Sequence, residues 1–396
     1  MAIVDLALLA AGVAGALVRP FRLPGWLVAV LAVALGLAIG SIGLAQAGRE
    51  LRPLVGALAF VLAAVPLSVL LDRLGFFEQA ARLLARGRRT AAGLWALAAF
   101  VTAVLNLDAA VVLLTPLYVR MARQSGMPER SLAFQPVLLA CLASSFLPVS
   151  NLTNLIAAGH TGATPVEFLV HLGPPSLAAT VVGYLCYRKV RPPGVPASVP
   201  QAVATARPLV VGGGVVAVVL AGFVAGPSLG IEPWQVALAA DAVLIALTRY
   251  VPLRQVPWGT ALVAAALAVL AGAAIAHADV AAVVGGHSLS STARTVAVSA
   301  VGASLVNNLP ATLVGLHAIG TQPGNALWAL LLGVNVGPLF VVTGSLAGLL
   351  WMDALDRLRV RCGPLEFSRV GLAVGVPALI VATGVLVGLE PLLGRI

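Results

Sequence analysis

The chain has 396 residues, 60% of them hydrophobic and 10% charged, with a mean hydropathy of +1.03, whereas a soluble domain carries about a quarter charged residues. Lipid is therefore the solvent for most of the chain, and no sizeable soluble domain fits. The formal net charge of +10 sits in short loops between apolar runs rather than in a basic patch with aromatic residues, which argues against a nucleic-acid partner, and the single lysine, Lys189, ends no glycine-rich phosphate loop.

In chain order, apolar runs approach the roughly 20 residues that cross a bilayer. Residues 2–18 lack a basic leader and a convincing cleavage site, and are expected to be a retained span rather than a signal peptide. Further full-length spans are expected at 26–46, 53–71, 132–158, 173–187, 208–224, 234–248, 257–276, 326–350 and 370–389. Two segments differ from these. Residues 90–125 are interrupted by Asn106-Leu107-Asp108, and residues 287–322 by Asn307-Asn308-Leu309-Pro310, so neither half of either segment is long enough to span. Each is expected to enter the membrane and return to the same face. The basic, proline-bearing stretch 188–208 is expected to be a linker.

The loops carry an orientation signal. Placing the loop after the first span in the cytoplasm puts 20 of the 24 basic side chains inside and leaves Arg49, Arg52, Arg294 and Arg395 outside. That asymmetry is what the positive-inside rule requires, and it places both termini outside. The hairpins then enter from opposite faces. The expected architecture is an all-α polytopic membrane protein with about ten transmembrane helices and two re-entrant hairpins in two inverted-topology repeats. The first repeat is 1–187 with its hairpin at 90–125, the linker is 188–208, and the second repeat is 209–396 with its hairpin at 287–322.

An internal similarity supports two repeats. Aligning Leu105–Val111 with Asn307–Leu313 superposes Asn106 on Asn308 and Leu107 on Leu309. Downstream, each half has a long apolar run with a second polar break, at Pro148–Asn154 and at Val342–Gly348. An unpaired backbone amide in hydrocarbon costs several kcal/mol, so irregular backbone at membrane depth survives only inside protein or beside a water-filled cavity. Half-helix N-termini suit an anionic or polar substrate, while freed carbonyls and Asn, Ser or Thr side chains suit sodium. Asp108, within the first tip, is a proton or cation site by the rule for intramembrane acids, or else a helix N-cap holding the amides of Ala110 and Val111. Asp241, in an unbroken run, is a second intramembrane acid that either titrates or pairs with a neighbouring helix. Asn151, Thr153 and Asn154 form either a site with Ser150 or ordinary interhelical hydrogen bonds. The cysteines Cys141, Cys186 and Cys362 lack metal or redox spacing, and the five histidines lie mostly at loop edges. No His-Glu-x-x-His or Gly-x-Gly-Asp occurs, so neither catalytic residues nor a resident metal or cofactor are expected.

The stretch Val101–Pro116, with its Asn106-Leu107-Asp108 core, resembles the arsenite efflux permeases of the ion transporter superfamily. Leu147–Leu155, Val306–Thr312 and Gly333–Pro338 leading to Thr343–Ala347 are similar to that family's motifs in the same order. The superfamily also includes divalent-anion:sodium symporters and sodium/proton antiporters. The resemblance implies that Asn106, Asp108, Ser150, Asn151, Thr153, Asn154, Asn307, Asn308, Thr343 and Ser345 bind substrate or ion. Leu107 departs from the Thr-Asn-Asp tip that the family often carries. The activity implied is export of arsenite or antimonite coupled to the proton gradient. The alternative within the superfamily is sodium-coupled carriage of small oxyanions or dicarboxylates, or sodium/proton antiport. The coupling ion is then H+ or Na+, with Asp108 and Asp241 as the candidate coupling acids. The partners admitted are an anion or metalloid substrate, membrane lipid, a homodimer mate and a cytoplasmic ATPase subunit. The location is the cell (inner) membrane. A channel and an intramembrane enzyme are the competing classes.

Overall fold

The computed structural model of the chain describes residues 2–18, 24–85, 89–192, 194, 206–275, 289–320 and 324–393. Among them every regular element is a helix, as expected where each backbone amide must find its partner without water. Helix α1 (Ala2–Val18) is followed by α2 (Gly25–Ala38). The run expected to cross as 26–46 is divided: Gly40 takes a left-handed φ of 73° and the chain restarts as α3 (Leu44–Leu51). A single 3-10 turn joins α3 to α4 (Val55–Arg73). Next come α5 (Phe76–Leu84), α6 (Thr90–Val104), α7 (Leu107–Ser125), α8 (Glu129–Leu142) and α9 (Leu152–Thr161). Helices α10 (Pro165–His171) and α11 (Gly173–Val190) meet at a bend of 51°.

The expected linker falls mainly on 193 and 195–205, outside the described residues; α11 covers its first positions and α12 (Ala206–Ala225) its last. The remaining helices are α13 (Pro233–Thr248), α14 (Trp258–Ile275), α15 (Leu289–Val306), α16 (Asn308–Ile319), α17 (Asn325–Val336), α18 (Leu346–Arg357) and α19 (Pro364–Leu393). The edges of the expected second hairpin, 287–288 and 321–322, also lie outside the described residues.

Four stretches are long and apolar enough to cross a bilayer as continuous helices: Leu44–Arg73, Ala206–Ala225, Leu253–Ala274 and Pro364–Leu389. The bent pair α10–α11 makes a fifth if taken as one span. Five more apolar helices, including Gly25–Ala38 and Pro233–Thr248, are shorter. Hydropathy alone suggested about ten full-length spans. The two longest runs, 132–158 and 326–350, are interrupted at 143–151 and 337–345, and each interruption holds a 3-10 turn with a proline in its first positions, Pro148 and Pro338.

Helix α11 packs along α19, α13 along α4, and α1, α2 and α14 against one another, while α7 packs on α8 and α15 on α17. Large apolar side chains face outward: Leu177, Val181 and Leu185 on α11, and Leu372 and Ile380 on α19. Such surfaces are stable against acyl chains and costly in water. Inside, the interrupted runs are pinned to each other. Trp351 of α18 donates its indole N–H to the Ala133 carbonyl of α8 at 2.7 Å and stacks obliquely on Phe134, with ring centroids 4.6 Å apart. Gly371 of α19 lies so close to the Leu339 carbonyl that a methyl group there would collide with it.

Candidate functional site

Four helices begin at the interruptions, and each begins with a side-chain cap. The Asn106 side-chain oxygen accepts from the Asp108 amide at 2.8 Å at the start of α7, and Asn307 does the same for the Leu309 amide at 3.2 Å at the start of α16. Asn151 accepts from the Thr153 amide at 3.3 Å at α9, and Ser345 from the Gly348 amide at 3.3 Å at α18. These caps satisfy part of the orphan amide set of each first turn. The cap of the second tip is Asn307, not Asn308. The internal alignment that paired Asn106 with Asn308 is therefore displaced by one residue: Asn308 takes the place of Leu107, and Leu309 that of Asp108. Asp108 is not an N-cap either, since that position belongs to Asn106.

All four helix starts border one cavity of about 510 Å³. Its polar lining is Asp108, Asn151, Thr153, Thr260, Asn307, Asn308 and Ser345. The rest of the lining comes mainly from α1, α2 and α14 and is largely apolar, with Trp26 and Trp258 in it. Four positive helix ends therefore meet one carboxylate. Among the described residues lining the cavity there is no Arg, Lys or His. The Asp108 Oδ1 and Asn106 Nδ2 atoms are buried and have no hydrogen-bond partner, a condition rare enough in folded proteins to mark a site.

The remaining candidates stand behind the lining. Ser150 Oγ donates to the Ala103 carbonyl at 2.6 Å, tying the break before α9 to the end of α6. Asn154 donates to the carbonyls of Ser144 at 2.7 Å and Leu147 at 3.1 Å, closing the same break on itself. Thr343 contributes its carbonyl, which accepts from Asn307 Nδ2 at 3.1 Å. Asp241 is buried where α13 meets α4 and is not among the cavity residues.

Asn335, near the end of α17, was not singled out from the sequence. Its side-chain oxygen accepts from Asn151 at 2.6 Å and from Thr153 Oγ1 at 3.2 Å; its amide donates to Asn154 Oδ1 at 2.8 Å and to Ser145 Oγ at 2.9 Å. One buried side chain from the second half of the chain thus fixes three of the proposed site residues in the first. Its sequence signals are a polar residue inside the apolar run 325–336 and its place in the stretch Gly333–Pro338.

The citrate transporter family matches residues 4–343, across every element that builds this cavity except α18 and its cap Ser345. The chain belongs to that family. Among similar proteins, an arsenical pump membrane protein of Escherichia coli is 28% identical over 401 residues, covering 91% of this chain and 92% of its own length. The arsenical pump membrane protein of Yersinia enterocolitica is 28% identical over 407 residues, with the same coverage. An uncharacterized transporter of Mycobacterium tuberculosis is 26% identical over 313 residues, covering 72% of this chain. This citrate transporter family member is therefore a multi-pass membrane transporter, and the likeness to arsenite permeases read from its motifs agrees with these relatives.

Proposed function

We propose that the chain exports arsenite or antimonite by alternating access, driven by the proton gradient. The observation that carries this reading is the lining of the cavity. Amides and hydroxyls supply neutral donors and acceptors, the one charged group is the Asp108 carboxylate, and none of the described lining residues is a cation. A neutral trihydroxylated metalloid needs hydrogen bonds and can share the cavity with a carboxylate. A dicarboxylate or tricarboxylate would bring several negative charges beside Asp108 with only helix ends to offset them, each of those worth at most about 2 kcal/mol. The arsenical pump relatives support the same substrate class.

Proton coupling follows from placing Asp108 where substrate and proton compete for one acceptor. Export then alternates with protonation, the carboxylate taking a proton as the metalloid leaves. Asp241, away from the cavity, is the second candidate coupling acid. Trp26 and Trp258, which line the cavity, follow the loops that the basic residues assign to the cytoplasm, and the cavity is read as open inward, with both termini outside.

The family's description and the four helix ends favour a second reading, sodium-coupled carriage of a small carboxylate or oxyanion. Growth in arsenite separates the two. Cells carrying the protein should resist arsenite, and cells carrying Asp108→Asn should not, at equal protein levels. Sodium-dependent accumulation of citrate or a dicarboxylate, with no protection from arsenite, would overturn the arsenite reading.

A further inference from the structure

A second recess, of about 400 Å³, lies on the arginine-rich face and is separate from the substrate cavity. Arg130 and the carboxylate of Glu129 at the start of α8, Arg191 after α11, and Arg359 and Arg361 between α18 and α19 line it. The local carboxylates are already engaged. Arg130, at 3.4 Å, and Arg191 share one oxygen of Glu366, and Glu129 is held by Arg123 at 3.0 Å. Among the described residues, Arg359 and Arg361 form no ion pair. The linker cannot neutralise them, because residues 192–205 contain no acid.

The loop carrying these two arginines is fixed in place. Arg359 adopts a left-handed φ of 59°, and the amides of Arg359 and Val360 bond back to Asp356 at 3.1 Å and Leu355 at 2.9 Å. Four guanidinium groups around a recess of this size suit a tetrahedral phosphate. The source of that phosphate is indicated by the neighbouring surface. Leu185 and Val190 on α11 and Leu365 on α19 are exposed apolar side chains at the same end of the packed α11–α19 pair. We infer that this recess holds the phosphate of an anionic phospholipid, its acyl chains lying along α11 and α19. The bound lipid would join the start of α8 to the α18–α19 loop, across the two halves of the chain. This inference does not depend on what the cavity carries.

The test reads binding, not transport. Purified full-length protein is reconstituted with spin-labelled phosphatidylglycerol or phosphatidylcholine, and the motionally restricted fraction is measured. The parent should prefer phosphatidylglycerol, and Arg359→Gln with Arg361→Gln should weaken that preference about 30-fold. Arg254→Gln, a charge removed elsewhere on the same face, should leave it unchanged. Equal restriction of both lipids by the parent, an unaltered preference in the double variant, or equal loss in Arg254→Gln would overturn the inference. Displacement of phosphatidylglycerol by millimolar inorganic phosphate would assign the recess to a soluble phosphate and overturn the lipid. The double variant's thermal midpoint, expected at the parent's value, separates lost binding from lost fold.

Discussion

Asn335 is the side chain on which the first half of the site depends. Removing it in Asn335→Ala leaves the Asn151 amide and the Asn154 side-chain oxygen without the partners they have in the structure. An orphaned buried polar group costs about 1–3 kcal/mol, so the variant should lose about 2–4 kcal/mol of unfolding free energy in detergent. Transport at saturating substrate should fall as well, because Asn151 and Thr153 line the cavity. An unchanged unfolding midpoint would remove Asn335 from this role. Asn307 gives a second case at the same scale. It combines φ 83° with ψ 151°, a region nearly confined to glycine, yet it caps α16. Asn307→Gly loses the cap and relieves the backbone, while Asn307→Ala loses the cap and keeps the strain. The glycine variant should therefore be the more stable of the two by about 1 kcal/mol, and equal destabilisation would refute the strain.

Among the elements, the interruptions were legible in the sequence and their pairing was not. Asn106-Leu107-Asp108, Asn307-Asn308-Leu309-Pro310, Pro148 and Pro338 break apolar runs in ways that hydropathy and missing amides reveal directly. Which of two adjacent asparagines caps a helix depends on φ and ψ, and so Asn308 was aligned where Asn307 acts. Asn335 is legible only as part of the stretch Gly333–Pro338 and not as a site residue, because its partners lie about 180 residues away and a single polar residue does not disturb an apolar run. The splitting of 26–46 at Gly40 was likewise hidden, since glycine is common inside membrane helices. Helix packing is where the unread half of the fold resides. Gly371 lets α19 approach the interruption after α17, and Gly371→Ala would press a methyl group on the Leu339 carbonyl. Gly384 on the same helix has open space around its added carbon. We expect Gly384→Ala to behave as the parent and Gly371→Ala to lose about 1–3 kcal/mol of stability, the usual cost of overpacking. Equal thermal midpoints for the two variants would show that α19 does not brace the break.

At the scale of the whole molecule, one cavity meets four helix starts, with Trp26 and Trp258 in its wall. A carrier must open such a cavity to one face at a time, whereas a channel must be open at both ends together. The halves supply a means to do so. Asn335 and Trp351 lock the interrupted helices of the two halves into one body, through Asn151 and Ala133. The wall of α1, α2 and α14 packs as a second group, which touches the tip helix α16 through α14. Motion of one body past the other would expose the lining on alternate faces without breaking the asparagine network. Thr260 on α14 reports on this, because it lines the cavity two residues from Trp258. Thr260→Cys should react with a membrane-impermeant maleimide in inside-out vesicles and be protected in right-side-out ones. Arsenite should slow the reaction if it occupies the cavity, and a proton gradient should shift the accessible side. Equal labelling from both faces with no gradient would mean a continuous pore, and the alternating-access mechanism would fail.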